Sequence, residues 1–249
     1  NVQAKIDKCL KSIESLKKAI PESEVVFVDD CSTDGTYQTL DRFARGRDWA
    51  VLIKLPENSG SPSAPRNRGI NGARGRYIFF LDADDEILPE GLTEQINALD
   101  HGDADFIRSP LIRFNGKDMV EINSIPEWNA KASWHEKAET IVRKHSTTPP
   151  ALYRRSFLKE QNILWPTDLR LAEDAVFLYT ALQRGKVDYT DKPIYLYNTE
   201  LIAGSVSSSQ QYQDRELSNQ IEAWKRCSAI LQDAGIDYFK VRGQVALQA

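Results

Sequence analysis

No stretch of the 249 residues approaches the ~18 consecutive apolar residues needed to span a bilayer, and no apolar core behind a basic start marks a secretory leader. The chain is therefore expected in the cytoplasm. A basic excess is also missing. Against 32 Lys and Arg stand 36 Asp and Glu, a formal charge of −4, which argues against a nucleic-acid partner because such surfaces carry a cationic face. Cys9, Cys31 and Cys227 are odd in number and far apart, so they form neither a disulfide framework nor a metal cluster and are expected as thiols. His101, His135 and His145 share no i,i+4 or Cys-His spacing, which removes a histidine-based metal centre. What remains, 41% hydrophobic and 27% charged residues, is ordinary globular composition. The length allows one large α/β domain or two small ones.

The first hundred residues alternate helix and strand signals. Ile6, Leu10, Ile13 and Leu16 have helical spacing, and Pro21 ends that helix. Val25 to Val28 reads as a short buried strand running into Asp29-Asp30, after which Ser32 or Asp34 can cap a helix carrying Tyr37, Leu40 and Phe43. A third element, Ala50 to Leu55, leads to a Gly/Ser/Pro turn from Asn58 to Gly69 that contains Arg66, Asn67 and Arg68. Ile78 to Leu81 reads as a further strand. Strands separated by helices imply right-handed crossovers and a mostly parallel sheet flanked by helices.

The strand Ile78 to Leu81 delivers Asp82, Asp84 and Asp85 to its end. Adjacent carboxylates repel one another unless a cation neutralises them. Asp82 and Asp84 project to one side of an extended chain, an arrangement suited to Mg²⁺ or Mn²⁺ with a diphosphate supplying further oxygens. The polar ends of three strands, Asp29-Asp30, Asn58 to Arg68, and Asp82 to Asp85, are expected to converge on one crevice. There Asp29 and Asp30 can accept hydrogen bonds from a base or ribose, and Arg66 can neutralise phosphate. Further on, Glu173-Asp174 opens a helix with apolar residues at Val176, Phe177, Tyr179 and Leu182. The helix dipole there favours an ionised Asp174, which could act as a base toward a hydroxyl.

On these residues the chain resembles the family 2 glycosyltransferases of the GT-A fold. Their Val-Asp-Asp-x-Ser-x-Asp-Gly segment stands here as Val28-Asp29-Asp30-Cys31-Ser32-Thr33-Asp34-Gly35, their Leu-Asp-x-Asp-Asp as Leu81-Asp82-Ala83-Asp84-Asp85, and their Glu-Asp-x-x-Phe as Glu173-Asp174-Ala175-Val176-Phe177. The resemblance spans about residues 1 to 205. It implies Asp29 and Asp30 at the nucleobase and ribose, Asp82 at ribose and metal, Asp84 at the metal, and Asp174 as base. Asn58 and Arg66 would be donor contacts, Glu173 an acceptor contact, and Ser205 a contact from a loop closing over the diphosphate. The turn Asn58 to Asn67, with Tyr153-Arg154-Arg155 and Trp165-Pro166, looks most like the wall-teichoic-acid branch. Family members begin with an apolar strand ending in Pro-x-Tyr-Asn, whereas this chain enters at the helix after it. The resemblance therefore implies a sheet without its first strand, open or gapped beside Val25 to Val28, and names no residue stacking on the nucleobase.

The expected enzyme is an inverting, metal-dependent hexosyl- or N-acetylhexosaminyl-transferase, moving sugar from a nucleoside diphosphate sugar, UDP by resemblance, to a hydroxyl acceptor such as a cell-surface polymer. Two alternatives are a sugar nucleotidyltransferase, which would show a Gly-rich phosphate loop and an activating Lys, and a non-catalytic binding module, which needs no base. The expected organisation is a catalytic domain over 1–210, divided into a donor half (1–100) and an acceptor half (101–210), then a helical segment over 211–249. Leu217, Ile221, Trp224, Ile230 and Leu231 make that segment amphipathic, suited to packing on the domain or to pairing with a second copy. Action on a cell-surface polymer adds peripheral association with the inner face of the membrane to the expected location.

Overall fold

The computed structural model describes residues 1–145, 150–199 and 214–246. Helix α1 (Ile6–Ala19) buries Ile6, Cys9, Leu10, Ile13 and Leu16 on one face, the stripe its spacing predicts. Strand β1 (Val25–Asp29) pairs in parallel with β2 (Ala50–Lys54), and α2 (Thr36–Ala44) supplies the crossover. Gly35 occupies the N-cap of α2, and Asp34 Oδ1 accepts from Thr36 N at 3.0 Å. The predicted Asp34 cap therefore acts one residue outside the helix. The Gly/Ser/Pro turn opens α3 (Ser63–Gly72).

The remaining strands form two mixed sheets. One has the order β3 (Tyr77–Ile78), β8 (Ala151–Arg154), β5 (Phe106–Arg108), β9 (Val187–Tyr189). The other has the order β4 (Glu86–Ile87), β10 (Tyr195–Asn198), β6 (Leu111–Phe114), β7 (Met119–Ile122). Parallel pairing of β1–β2, β5–β9 and β6–β10 is joined by antiparallel neighbours in the other pairs. The helices are α4 (Pro89–His101), with proline in its first turn, α5 (Trp134–Lys144), capped reciprocally by Ser133 and Glu136, and α6 (Arg155–Glu160). Helices α7 (Glu173–Arg184), α8 (Asp214–Asp233) and α9 (Tyr238–Ala246) follow.

The expected strand Ile78 to Leu81 is shorter than its apolar run. Only Tyr77 and Ile78 join a ladder, on β8. Phe79, Phe80 and Leu81 still alternate between two apolar clusters: Phe79 and Leu81 face one with Leu16, Ile87 and Leu92, and Phe80 faces the other with Trp165 and Phe177. Burial of alternate side chains thus persists where ladder bonds do not. An apolar cavity of about 370 Å³ is lined by Val25 to Val28 and by Tyr77, Phe79 and Leu81 among others. In the C-terminal region α8 joins the main core through buried Ala223, Cys227 and Leu231, leaving Leu217, Ile221 and Trp224 exposed. The three cysteines are free thiols. Trp128 and Trp134 pack against the same core, their indole N–H groups donating to Asp188 and to the Leu182 and Gly185 carbonyls.

Candidate active site

A second cavity, about 450 Å³, runs between β1 and the 77–83 segment and is lined by Asp29, Asp30, Arg66 and Asp82 among others. Four of the sequence-predicted residues therefore face one space, as strand ends in an open α/β sheet should. Asp29, at the end of β1, is buried, and its Oδ2 accepts from Ser32 N at 3.1 Å while its Oδ1 has no partner. A buried carboxylate oxygen without a donor is suited to a ligand N–H or O–H. Asp30 ties the turn after β2 to the end of β1: its carboxylate accepts from Ser59 N (2.9 Å) and Oγ (2.9 Å), and its carbonyl accepts from Asn58 Nδ2 (2.9 Å).

Arg66 is the centre of the charge distribution. Its guanidinium lies 4.2 Å from the centre of the Trp165 ring, which is itself stacked on Phe177 at 4.1 Å. From that floor Nη2 donates to Asp82 Oδ1 at 2.6 Å, and Nη1 reaches Glu173 Oε1 at 3.3 Å. Burial opposes the charge on Arg66, yet Asp82 and Glu173 outweigh it and raise its pKa. Asn67 fixes the floor by bonding the Trp165 main chain twice, at 2.8 Å each way. The turn and the Trp165-Pro166 segment, distant in sequence, are thus one unit.

Asp84 lies 3.5 Å from Lys5 Nζ, so each of the two predicted metal ligands has a protein cation beside it. Among the described residues no three His, Cys, Asp or Glu side chains gather to hold an ion unaided. Two hard carboxylate oxygens on neighbouring turn positions nevertheless fit Mg²⁺ or Mn²⁺ when a diphosphate completes the shell. Asp85, read from sequence as part of the acidic cluster, instead turns inward. It is 1% exposed and accepts from Tyr195 Oη at 2.5 Å and from Asn198 N at 2.7 Å. Burial, with Asp82 and Asp84 nearby, pushes its pKa up to about 8 against those two donors. Tyr195 Oη also accepts from Asp82 N at 3.2 Å, and Asn198 Nδ2 donates to Asp84 O at 3.0 Å. Strand β10 therefore clasps the whole acidic turn.

Glu173 and Asp174 occupy the first turn of α7, whose N-cap, Ala172, has φ 56°, in the left-handed region. Asp174 is half-buried and its Oδ1 accepts from Ala175 N at 2.7 Å. The dipole expectation that Asp174 stays readily ionised needs correcting: burial is the dominant influence and raises its pKa, while the Ala175 N–H and Arg66 oppose that shift. Burial, then the adjacent Asp174, pushes Glu173 up to about 7. Ser205 lies outside the described residues. Local pattern pointed to neither Tyr195, Asn198, Lys5 nor the Trp165 floor. Only the juxtaposition of Arg66-Asn67 and Trp165-Pro166 in the resemblance hinted at the last.

Residues 1–161 match the family described as Glycosyl transferase family 2. A poly(ribitol-phosphate) beta-glucosyltransferase of Bacillus spizizenii is 32% identical over 75% of this chain and 28% of its own length. The poly(ribitol-phosphate) beta-N-acetylglucosaminyltransferase TarS of Staphylococcus aureus is 30% identical over 84% of this chain and 36% of its own length. The chain thus spans about a third of these curated relatives. The crystal structure of S. aureus TarS 1-349 in complex with UDP-GlcNAc superposes with a TM-score of 0.80 at 25% identity, covering 98% of this chain and 68% of that one. With its mixed α/β architecture and the Asp29-Asp30, Asp82–Asp84 and Glu173-Asp174 segments in place, this chain belongs to glycosyl transferase family 2 and has the GT-A fold.

Proposed function

We propose that the chain moves a sugar from a UDP-sugar to a hydroxyl of an anionic polyol-phosphate polymer, with inversion at the anomeric carbon. The observation that carries this reading is the cavity shared by Asp29, Asp30, Arg66 and Asp82, joined through Arg66 to the Glu173-Asp174 helix start. Asp29 and Asp30 would receive hydrogen bonds from the nucleoside, and Asn58 holds Asp30 in place. Arg66 would exchange part of its contact with Asp82 for a phosphate oxygen, a charge-assisted bond that its ring floor pre-orients. Asp82 and Asp84 would hold Mg²⁺ or Mn²⁺, which supplies charge neutralisation to the departing diphosphate. Asp174 would take the proton of the acceptor hydroxyl. That oxygen then bonds the anomeric carbon opposite the nucleotide, and the carbon–oxygen bond to the diphosphate breaks with its electron pair. Glu173, at about 7, would hold the acceptor. The kinship with enzymes named for poly(ribitol-phosphate) supports the polymer class.

A donor panel tests this. UDP-glucose, UDP-N-acetylglucosamine, UDP-galactose and GDP-mannose are each offered with poly(ribitol-phosphate), with Mn²⁺ or with chelator. Metal-dependent product from one UDP-sugar is expected. Product only from GDP-mannose, or undiminished product in chelator, would remove the nucleotide or the metal from the proposal.

A further inference from the structure

At the end of the sheet opposite the acidic turn lies a pocket of about 420 Å³ lined by Arg76, Tyr77, Arg154, Arg155, Lys159 and neighbouring residues. Strand β3 begins at Tyr77, which borders both this pocket and the cavity that holds Asp82, whereas Arg154, Arg155 and Lys159 line this pocket and not that cavity. In a chain of net charge −4, four cations around one concavity repel one another and attract an anion.

The pocket differs from a solvated arginine face because two of its three guanidiniums, those of Arg154 and Arg155, are held by backbone carbonyls. Arg154 Nε donates to Ala104 O at 2.8 Å, and its Nη2 donates to the carbonyls of Leu99 and Gly102 at the end of α4. Arg155 Nε donates to Gly75 O at 2.7 Å, leaving both of its Nη groups unspent. The Arg76 and Arg154 guanidinium carbons lie 5.2 and 5.9 Å from the centre of the Tyr77 ring. The one carboxylate in close contact, Asp100, is taken by Arg76 and Tyr77, and Glu160 stands on the rim. Among the described residues no carboxylate pairs with Arg154, Arg155 or Lys159. Fixed donors with unspent N–H groups match the planar, multi-oxygen geometry of phosphate better than mobile surface lysines would.

We infer that this pocket is a second anion site, taking a phosphate of a phosphodiester polymer at a distance from the reacting hydroxyl. The choice of a polyol-phosphate rests on the acceptor reading above, whereas the anion site itself does not. A soluble polymer fits better than a membrane, since among the described residues none of the large exposed apolar side chains, Trp224, Phe239 and Met119 among them, lines the pocket, and surface-bound helices normally add apolar insertion to charge.

The test is a calorimetric titration of a poly(ribitol-phosphate) oligomer into the full chain and into the double variant Arg155→Gln/Lys159→Gln, in which the new side-chain amide at position 155 retains a donor for Gly75. UDP is titrated in parallel, and vesicles of phosphatidylglycerol and phosphatidylcholine serve as the lipid arm. Polymer affinity should fall about tenfold or more in the variant, with a shallower salt dependence, while UDP affinity stays unchanged. Equal polymer affinity in the two proteins overturns the site, and so does a parallel loss of UDP affinity, which would mark these residues as scaffold. Binding to vesicles without binding to the polymer overturns the polymer assignment and gives the pocket to a lipid headgroup. Polymer that binds as expected but is never glycosylated would sink the transfer reading and leave the anion site standing.

Discussion

Asp174 and Glu173 are neighbours on one helix turn, yet their surroundings prepare them for different work. Glu173 shares Arg66 with Asp82, at 3.3 and 2.6 Å, whereas Asp174 has only main-chain N–H donation, from Ala175. A carboxylate whose charge is opposed by burial and satisfied by few donors is a stronger proton acceptor than one locked in an ion pair. Asp174→Asn keeps the shape and removes the proton acceptor. Donor affinity should persist while transfer falls by on the order of 10²–10⁴. Melting temperature should change little, because Asn is tolerated at helix starts about as well as Asp. Transfer rate, UDP-sugar affinity and melting temperature measured together on both proteins decide it. Full transfer in the variant removes the base assignment, and a large loss of melting temperature gives Asp174 a structural role in the first turn of α7 instead.

At the scale of elements, β10 and the acidic turn behave as one piece. Tyr195→Phe deletes the hydroxyl that donates to Asp85 and accepts from Asp82 N, leaving a buried carboxylate short of a donor, a cost of about 1–3 kcal/mol. We expect a lower denaturation midpoint together with weaker metal-enhanced UDP binding. If stability falls but the response of UDP to Mn²⁺ is intact, the clasp holds the fold without setting the ligand turn. These same contacts explain what the sequence withheld. Helices α1 and α7 were legible because their apolar residues follow the helical period, and strands β1 and β2 because each is a short continuous apolar run. The convergence of Asp29, Asp30, Arg66 and Asp82 on one cavity was legible because strand ends in an α/β sheet share one side. The run Ile78 to Leu81 misled because its side chains alternate as in a strand while its later backbone groups leave the ladder, Asp82 N going to a hydroxyl 113 residues away. No local pattern encodes that partner, nor the inward turn of Asp85, which depends on the same tyrosine and on Asn198.

For the whole molecule, the raised carboxyls give stability an unusual slope with pH. Glu173, ordinarily 4.5, is pushed to about 7, and Asp85, ordinarily 3.8, to about 8, burial being the leading cause of both. Between roughly pH 4 and 8 the folded chain therefore holds protons that the unfolded chain has released. Stability must then fall as pH rises through that window and level off above it, because the state that binds more protons gains from acid. The exposed ion pairs act oppositely but weakly: Asp100, Asp103 and Asp168 have lowered pKa values, so their contribution disappears only in stronger acid. Urea midpoints of the ligand-free protein should decline from pH 5 to pH 8. Glu173→Gln, which cannot titrate, should flatten the lower part of that decline and be the more stable protein relative to wild type at pH 8, by on the order of 2 kcal/mol. Saturating UDP with Mn²⁺ should flatten it as well, since a ligand bound to Arg66 and the acidic turn changes the charge that both carboxyls face. A midpoint that rises across the window, or a Glu173→Gln profile that tracks the wild type throughout, would show that Glu173 is already ionised in the folded chain, with Arg66 rather than burial setting its charge.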